Sequence, residues 1–388
     1  MNKDKYVFSQ LMELISHKSF QTIVKRHNGE YKVKDFSCWK QFLCMVFGQL
    51  THRESISNTL ICLEANTDKL YHMGIGKVAA KSTLTKANEN RSYRIYEDLA
   101  MLLILQAKEL YHNTNLLDIN LQNNVFAIDA TIIDLCLSSF YWASFHKTKG
   151  GIKLHTMLDL KTAIPEFILF TTASTHEVQA LDKISFQANS IYIMDRAYVD
   201  LKRLYKINAC DAFFITRAKS NMDFKRIYSH PVNKKEGVIC DQSIIFNNFY
   251  PAKFYPEKMR RIKFYDHEKN NTLIFLTNNF HFKAIEIAQL YKHRWDIECF
   301  FKWIKQHLKI KSFWGHSENA VKTQVWIAIS AYVLVAIAKK KFNIRQSLYE
   351  ILQVLSLSMF EKVSVNQLFQ QTQLQYIKEQ NCNQLKLF

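Results

Sequence analysis

The sequence predicts a mixed α/β (α+β) fold, in which a helical N-terminal region precedes a sheet that carries helices on its faces. Apolar residues recur near a 3.6-residue period through about residue 115, which is typical of amphipathic helices. Short β-rich runs begin near residue 124 and later alternate with helical segments, a pattern that favours a mixed sheet. Because the 388 residues include only 8 Gly and 4 Pro, we expect long helices with few breaks.

The composition excludes several classes of protein. Apolar residues make up 48% of the chain and charged residues 22%, which favours a sizeable core over disorder. The eight cysteines are scattered without a C-x-x-C pair, which favours a reduced cytoplasmic chain over a disulfide framework or a zinc site. No apolar segment follows the first five residues, so no secretory signal is predicted. The longest apolar run, Val325–Ala338, is shorter than the ~20 residues that a bilayer requires and is predicted to be a buried helix.

The chain is strongly basic. It carries 52 Lys and Arg against 34 Asp and Glu, a formal net charge of +18. Such a surplus predicts a polyanionic partner, either nucleic acid or an anionic membrane surface. A membrane-surface protein would need a basic amphipathic segment beside an apolar anchor, and the sequence shows none, so nucleic acid is preferred. Residues 217–263 hold eleven Lys and Arg against four Asp and Glu, and their alternating apolar runs predict a basic insertion of antiparallel strands.

One basic segment of the N-terminal region, residues 77–91, is open to two interpretations. It is predicted to form a helix with an N-cap at Ser82. The polar side chains expected on its exposed surface are Lys81, Lys86, Asn88, Asn90 and Arg91. The segment is either a DNA-contacting helix or a solvated helix face, and the sequence alone does not separate the two.

Six β-rich runs define the predicted sheet of the central region. They are Val125–Ile128, Ile132–Leu137, Lys153–Leu158, Glu166–Phe170, Ser190–Met194 and Ala212–Thr216. Helical patterns lie between some of them, at about 176–186 and 201–207. After the basic insertion, the pattern predicts one long helix from about Lys283 to Lys309, an apolar helix at 322–338 and a helical C-terminal tail.

Two carboxylates follow buried strands of this sheet. Asp129 comes directly after Val125–Ile128, and Asp195 comes directly after Ile191–Met194. Adjacent strands with this arrangement can direct carboxylate oxygens at one hard cation. Each aspartate considered alone is more typical of a turn or a cap than of a metal ligand. The rival carboxylates are Asp134, Asp159 and Asp200, the last of which is predicted to be a helix N-cap.

A third carboxylate is predicted from the long helix. At 100° per residue, the side chains of Tyr291, Arg294, Glu298 and Lys305 lie within about 60° of one another. This polar stripe borders the apolar face of the helix, which a merely solvated face does not require. The two cations would keep Glu298 ionised and could bind phosphate. The alternative is an ordinary ladder of i,i+4 charges.

The four residues of this stripe carry a family resemblance. Their spacing, Tyr291-x2-Arg294-x3-Glu298-x6-Lys305, resembles the Y-R-E-K signature of IS4-type DDE transposases. Residues 1–115 are similar to the helical domain that one branch of these transposases carries. The resemblance implies an RNase H-like catalytic core with an inserted antiparallel β subdomain.

The aspartates extend the resemblance. Asp129 in Ala-Ile-Asp-Ala-Thr and Asp195 in Met-Asp-Arg-Ala-Tyr resemble the family's first and second catalytic aspartates, and residues 144–155 are similar to the stretch after the first. With Glu298, they are implied to be catalytic residues and ligands of two Mg²⁺ ions, for which Mn²⁺ can substitute. The implied reaction is phosphodiester hydrolysis followed by strand transfer.

The resemblance also implies DNA partners. The expected DNA- and phosphate-binding residues are Tyr291, Arg294, Lys305, Lys147, Lys149 and Lys153. The last three either extend an anionic track or are ordinary exposed lysines on a loop. The implied partners are terminal inverted repeats and target DNA, held by a synaptic homodimer in the bacterial cytoplasm and associated with the nucleoid. The β insertion has no tryptophan to take up a flipped base, so the stacking candidates are Phe249, Tyr250, Phe254 and Tyr255.

These observations predict a domain plan and leave two alternatives. The plan is a helical N-terminal DNA-binding domain at 1–120, an RNase H-like catalytic domain at 121–216 and 284–340, a β insertion at 217–283 and a helical tail at 341–388. One alternative is an RNase H-like nuclease without strand transfer. The other is a catalytically inactive, transposase-derived DNA-binding protein, against which the intact set of three carboxylates argues.

Overall fold

The computed structural model describes residues 5–119, 121–146, 149–220, 222–307 and 313–370. The chain separates into two units. The helical unit consists of residues 1–113, 138–142 and 302–388, and the sheet unit consists of residues 114–137 and 143–301.

The elements are numbered in chain order. The α-helices are α1 (Val7–Met12), α2 (His17–Arg26), α3 (Cys38–Leu50), α4 (Ile56–Glu64), α5 (Thr67–Leu70), α6 (Lys81–Asn90), α7 (Arg94–Tyr111), α8 (Leu201–Asn208), α9 (Phe249–Phe254), α10 (Ala284–Lys292), α11 (Trp295–His307), α12 (Glu318–Lys341) and α13 (Leu348–Ser358). The strands are β1 (Val125–Leu135), β2 (Ser144–His146), β3 (Lys149–Asp159), β4 (Ile164–Thr172), β5 (Ile191–Met194), β6 (Phe213–Arg217), β7 (Lys225–His230), β8 (Val238–Ile245), β9 (Met259–Asp266) and β10 (Asn271–Thr277).

The first helices form as apolar periodicity predicts, and serine side chains cap three of them. The hydroxyls of Ser16, Ser37 and Ser55 each accept a hydrogen bond from a backbone N–H three residues later, at the starts of α2, α3 and α4. The prediction for α6 was wrong in one detail, because this helix begins at Lys81 after Ala80, so Ser82 lies within its first turn.

Helix α12 is the core of the helical unit. It is long and apolar enough to cross a membrane, but 94% of its most apolar window is buried inside the protein, as the short run Val325–Ala338 predicted. It packs against α3, α6, α7 and α13. A helix that is apolar on every side must be enclosed by other elements, and here the N-terminal helices enclose it. The predicted domain plan assigned residues 322–338 to the catalytic domain, whereas the structure groups them with the helical unit.

The sheet unit has the strand order of an RNase H-like core, as the resemblance implied. Strands β1, β3 and β4 form an antiparallel meander, and β1, β5 and β6 run parallel. The predicted runs Val125–Ile128 and Ile132–Leu137 are not separate strands. They belong to the single strand β1, because β3 pairs with β1 without interruption from Phe126 to Leu135.

The basic insertion forms antiparallel strands, as predicted, but it does not form a separate sheet. Strand β10 pairs with β6, and β9, β8 and β7 follow outward, so the insertion prolongs the core sheet. Its central ion pair is buried: the guanidinium of Arg260 donates to Asp241 Oδ2 at 2.6 Å. Arg260, one of the eleven cations of residues 217–263, is therefore structural and not available to a partner.

The predicted long helix from Lys283 is two helices, α10 and α11. The break lies at His293 and Arg294, whose backbone N–H groups donate to carbonyls three residues earlier, those of Leu290 and Tyr291. His293 Nδ1 lies 3.1 Å from Asp296 Oδ2 in the first turn of α11, which stabilises the break. The predicted end at Lys309 lies outside the described residues.

Candidate active site

Strands β1 and β5 position the two aspartates on the same face of the sheet. The last parallel pair of these strands is Ile128 and Met194, and Asp129 and Asp195 are the next residue of each. Because side chains alternate between the two faces of a strand, equivalent positions on paired strands share a face. Asp129 thus lies in mid-strand, where the buried part of β1 ends, and Asp195 follows the end of β5.

Backbone amides hold one oxygen of each aspartate. Asp129 Oδ1 accepts from the N–H of Ala130 at 2.8 Å, and Asp195 Oδ1 accepts from the N–H of Ala197 at 2.6 Å. The carbonyl of Asp195 in turn accepts from Thr216 Oγ1 at 2.9 Å, which ties it to β6. These bonds fix both carboxylates at the sheet and leave the second oxygen of each for other partners.

Arg294 joins the first aspartate to the glutamate. Its guanidinium lies 3.4 Å from Asp129 Oδ2 and 2.5 Å from Glu298 Oε1, and its side chain is only 19% exposed. It also lies over the ring of Tyr291, 5.9 Å from the centroid. Tyr291 is buried and packs against Phe275 of β10. Tyr291, Arg294 and Glu298 therefore lie together, as the stripe predicted, although the break between α10 and α11 falls among them.

Burial is the main electrostatic influence on Asp129. Burial first, and then the negative charges of Asp195 and Glu298, raise the pKa of its carboxyl from 3.8 to about 6. The Ala130 amide and Arg294 oppose this rise without cancelling it. Asp195 and Glu298 thus lie close enough to Asp129 to repel its charge.

The structure separates one predicted phosphate ligand, Lys153, from this geometry. Lys153 is buried, and its ammonium donates to the carbonyl of Thr175 at 2.8 Å and lies 3.5 Å from Glu177 Oε1. Lys153 pairs with Ile132, an odd number of residues after Asp129, so it occupies the opposite face of the sheet. It is therefore not an exposed loop lysine, because the strand that contains it is central.

Of the other three predicted lysines, two have no described side chain and the third lies in the helical unit. Lys147 lies outside the described residues. Lys149 begins β3, but its side chain lies outside the described part of the chain. Lys305 lies in α11, in the part of that helix that belongs to the helical unit.

The three rival carboxylates either accept hydrogen bonds in nearby turns and caps or lie on the opposite face of the sheet. Asp159 accepts from the Lys161 N–H and the Thr162 hydroxyl in the turn after β3. Asp200 is the N-cap of α8, as predicted, and accepts from the N–H of Arg203 at 3.0 Å. Asp134 is exposed on β1 and, five residues after Asp129, lies on the other face of the sheet.

The sequence interpretation missed two buried hydroxyls beside the aspartates. Thr156 is the partner of Asp129 across β1 and β3, and its hydroxyl has no partner among the described residues. The hydroxyl of Tyr198 is also buried without a described partner, and burial and then the charge of Asp129 raise its pKa. The position of Tyr198, three residues after Asp195, was the available signal. Thr156 had none, because its place depends on strand register.

The stacking candidates of the insertion divide into two groups. Phe249, Tyr250 and Phe254 are exposed in α9, whereas Tyr255 is buried in the core. The expectation for Tyr255 was therefore wrong, because its ring packs against Tyr205 and Phe214.

The strand order places the sheet unit among RNase H-like domains, and a family comparison narrows this class. The family model of the transposase DDE domain matches residues 120–334, more than half of the chain. The chain therefore belongs to the DDE transposase family. A second model, a domain of unknown function, matches residues 3–76.

Several relatives carry transposase names. The chain is 33% identical over 225 residues to a putative transposase of Sinorhizobium fredii, a match that covers 57% of this chain and 63% of the relative. It is 26% identical over 254 residues to a probable transposase for insertion sequence element IS5377 of Geobacillus stearothermophilus, covering 65% and 66%. It is 24% identical over 300 residues to a putative transposase for insertion sequence element IS4SA of Synechocystis, covering 74% and 80%. The chain thus spans less than two thirds of the first two relatives.

The DDE transposase domain implies dependence on a divalent metal ion, and the donor chemistry here fits one. Carboxylate oxygens are the ligands that hard divalent cations prefer, and the orphaned hydroxyl of Thr156 lies beside Asp129. Among the described residues, however, no group of three Asp, Glu, His or Cys side chains is already close enough to hold an ion. Arg294 contacts both Asp129 and Glu298 in this geometry.

Proposed function

We propose that the protein is the transposase of an insertion sequence, which binds the ends of its element and performs phosphodiester hydrolysis followed by strand transfer. The observation that carries the proposal is the register of β1 and β5, which gives Asp129 and Asp195 equivalent positions on one face of the sheet. Family membership and the names of the relatives support the same function.

In this proposal, Asp129, Asp195 and Glu298 hold two divalent ions, Mg²⁺ or Mn²⁺ in its place. When bound, these ions supply activation of the attacking water or 3′-hydroxyl and stabilisation of the leaving oxygen. The protein contributes rigid ligands, because the amides of Ala130 and Ala197 already fix one oxygen of each aspartate. No side-chain nucleophile is required.

Arg294 would exchange partners in this mechanism. Once it leaves Asp129, its guanidinium can bind a DNA phosphate near the scissile bond while Glu298 turns toward the ions. The guanidinium lies over the ring of buried Tyr291, which helps to hold it in place. Lys305 is proposed as a further phosphate ligand on the same helix.

The proposed partners are the terminal inverted repeats of the element and the target DNA, held by a homodimer in the bacterial cytoplasm. The net charge of +18 supports a nucleic acid partner. The predicted division of the chain into an N-terminal DNA-binding domain, a catalytic domain and an insertion remains part of this proposal.

The test is incubation of the protein with the DNA that flanks its own gene, in the presence of Mg²⁺ or Mn²⁺. We expect nicks that map to the element ends, followed by joining of those ends to a target. Nicks scattered over the DNA without joining would instead identify a nuclease. Binding without nicks would identify an inactive relative, and either result would overturn the proposal.

A further inference from the structure

A basic cleft lies in the helical unit, well separated in sequence from the three carboxylates. Its volume is about 880 Å³, and its two walls are the loop between α2 and α3, residues 27–36, and the segment 77–92, which contains α6. The cationic side chains that line it are Lys32, Lys34, Lys40, Lys77, Lys86 and Arg91, with Asp35 as the only lining carboxylate among the described residues.

The two walls are fastened together by buried polar contacts. Arg91 donates to the carbonyl of Phe36 and, at 3.0 Å, to Gln41 Oε1. Gln41 in turn donates to Asn88 Oδ1 at 2.8 Å, and both of these amides are buried. Asn88 and Arg91 were expected on the exposed face of this segment, but they hold the cleft together. The cleft is therefore a formed feature of the fold and not a chance gap between loops.

The remaining cations are available to a ligand. Asp35 is already paired with Lys40 at 2.6 Å. That hydrogen bond lowers the pKa of Asp35, and the charge of Lys77 in the opposite wall lowers it further, so Lys77 lies near Asp35 across the cleft. Exposed Lys34, Lys77 and Lys86 form no ion pair with any described carboxylate. Positive charges gathered in one concave surface repel one another, and an anionic ligand relieves this repulsion.

The neutral part of the lining favours a polar, extended ligand. Thr83, Asn90 and Ser92 offer hydroxyl and amide groups at the α6 wall. Tyr31 at the loop wall is 75% exposed, and the ammonium of Lys32 lies 5.2 Å from its ring centroid. Cations with hydroxyl and amide donors are the side chains that proteins direct at phosphate and sugar oxygens of DNA.

We propose that this cleft binds the sugar–phosphate backbone of double-stranded DNA, with Lys34 of one wall and Lys77 and Lys86 of the other as the phosphate contacts. This inference rests on the proposed function, whose partner is DNA, but the site is separate from the proposed catalytic site and requires none of its three carboxylates. The contacts are to the backbone, so binding at the cleft adds affinity for any duplex and does not by itself select a sequence.

The experiment measures DNA binding without catalysis. Full-length protein with Asp129→Asn is titrated in EDTA against a labelled duplex of the element end and against a duplex of scrambled sequence, over a range of NaCl concentrations. The cleft variant adds Lys77→Gln and Lys86→Gln. The matched control adds Lys18→Gln and Lys341→Gln, which remove the same charge from exposed positions that do not line the cleft.

We expect the cleft variant to bind both duplexes about tenfold more weakly and to lower the slope of log K against log [NaCl] by about 2. The control should stay within about twofold of the parent. Thermal unfolding of the variants checks that each is folded. Equal losses in the cleft variant and the control, or no loss in the cleft variant, would each overturn the proposal. Because EDTA and Asp129→Asn remove catalysis, these outcomes do not depend on whether the protein nicks DNA.

Discussion

Arg294 supplies the positive charge that lies between two of the three carboxylates. Its guanidinium contacts Asp129 Oδ2 and Glu298 Oε1. A divalent ion would compete with it for the same oxygens, since both respond to the same negative field. The residue should therefore oppose ion binding while it assists DNA binding.

Substitution of Arg294 by Gln tests this double effect. We expect the variant to bind Mn²⁺ about tenfold more tightly in the absence of DNA, because one competing charge is removed. Cleavage of DNA should nevertheless slow at least about tenfold, because a phosphate contact is lost. Mn²⁺ titration followed by electron paramagnetic resonance measures the first effect. Arg203→Gln, whose partners are Asp182 and Asp200, is the control, and weaker Mn²⁺ binding by Arg294→Gln would contradict the competition.

The raised pKa of Asp129 predicts a dependence of stability on pH. Because this pKa is about 6 in the folded protein and 3.8 ordinarily, protonation of Asp129 favours the folded state. That stability is fully present below pH 3.8 and is lost as the pH rises through 6. In metal-free protein, the free energy of unfolding of Asp129→Asn relative to that of the parent should therefore increase as the pH rises from 4 to 8, by on the order of 2 kcal/mol.

Thermal unfolding midpoints across this pH range measure the effect. Asp134→Asn, an exposed change on the same strand, should show no such trend. A constant difference between Asp129→Asn and the parent at every pH would show that burial does not perturb this carboxyl.

Local elements were largely predictable from periodicity, whereas their limits depended on tertiary pairing. The runs that became β3, β4, β5 and β6 were all found from their own residues. The sequence predicted that a strand ends before Asp129-Ala-Thr, yet β3 pairs across these residues and keeps β1 extended. The break between α10 and α11 contains neither Gly nor Pro, so no helix-breaking residue predicted it.

The insertion depends on a buried ion pair that sequence could not locate. Arg260 donates to both oxygens of Asp241 and to the carbonyls of Asn279 and Phe282. Asp241→Ala would leave a buried guanidinium without its counter-charge. We expect this change to destabilise the protein by about 3 kcal/mol.

Denaturant unfolding measures that loss. The control is Glu268→Ala, which breaks the exposed pair with Lys292 and should cost less than about 1 kcal/mol. Equal effects of the two changes would mean that the pair in the insertion is not shielded from water as the structure describes.

For the molecule as a whole, composition and motif spacing predicted the kind of partner and the family, but not the limits of the domains. The +18 charge pointed to a polyanion, and the spacing of Tyr291, Arg294 and Glu298 pointed to the family to which the chain belongs. The position of α12 was not predictable, because its uniform apolarity shows that it is buried but not which helices bury it. The same limit applies to the basic cleft, whose walls are about fifty residues apart in sequence.

The central claim is that Asp129, Asp195 and Glu298 act as one metal-dependent site. The most direct measurement is the rate of Mg²⁺-dependent nicking at the element end by Asp129→Asn, Asp195→Asn and Glu298→Gln, with Asp134→Asn as the control and DNA binding measured in EDTA for each. We expect each of the three to lose nicking by at least about 10³-fold with DNA binding retained, and the control to keep both. Full nicking activity in any one of the three variants would contradict the assignment.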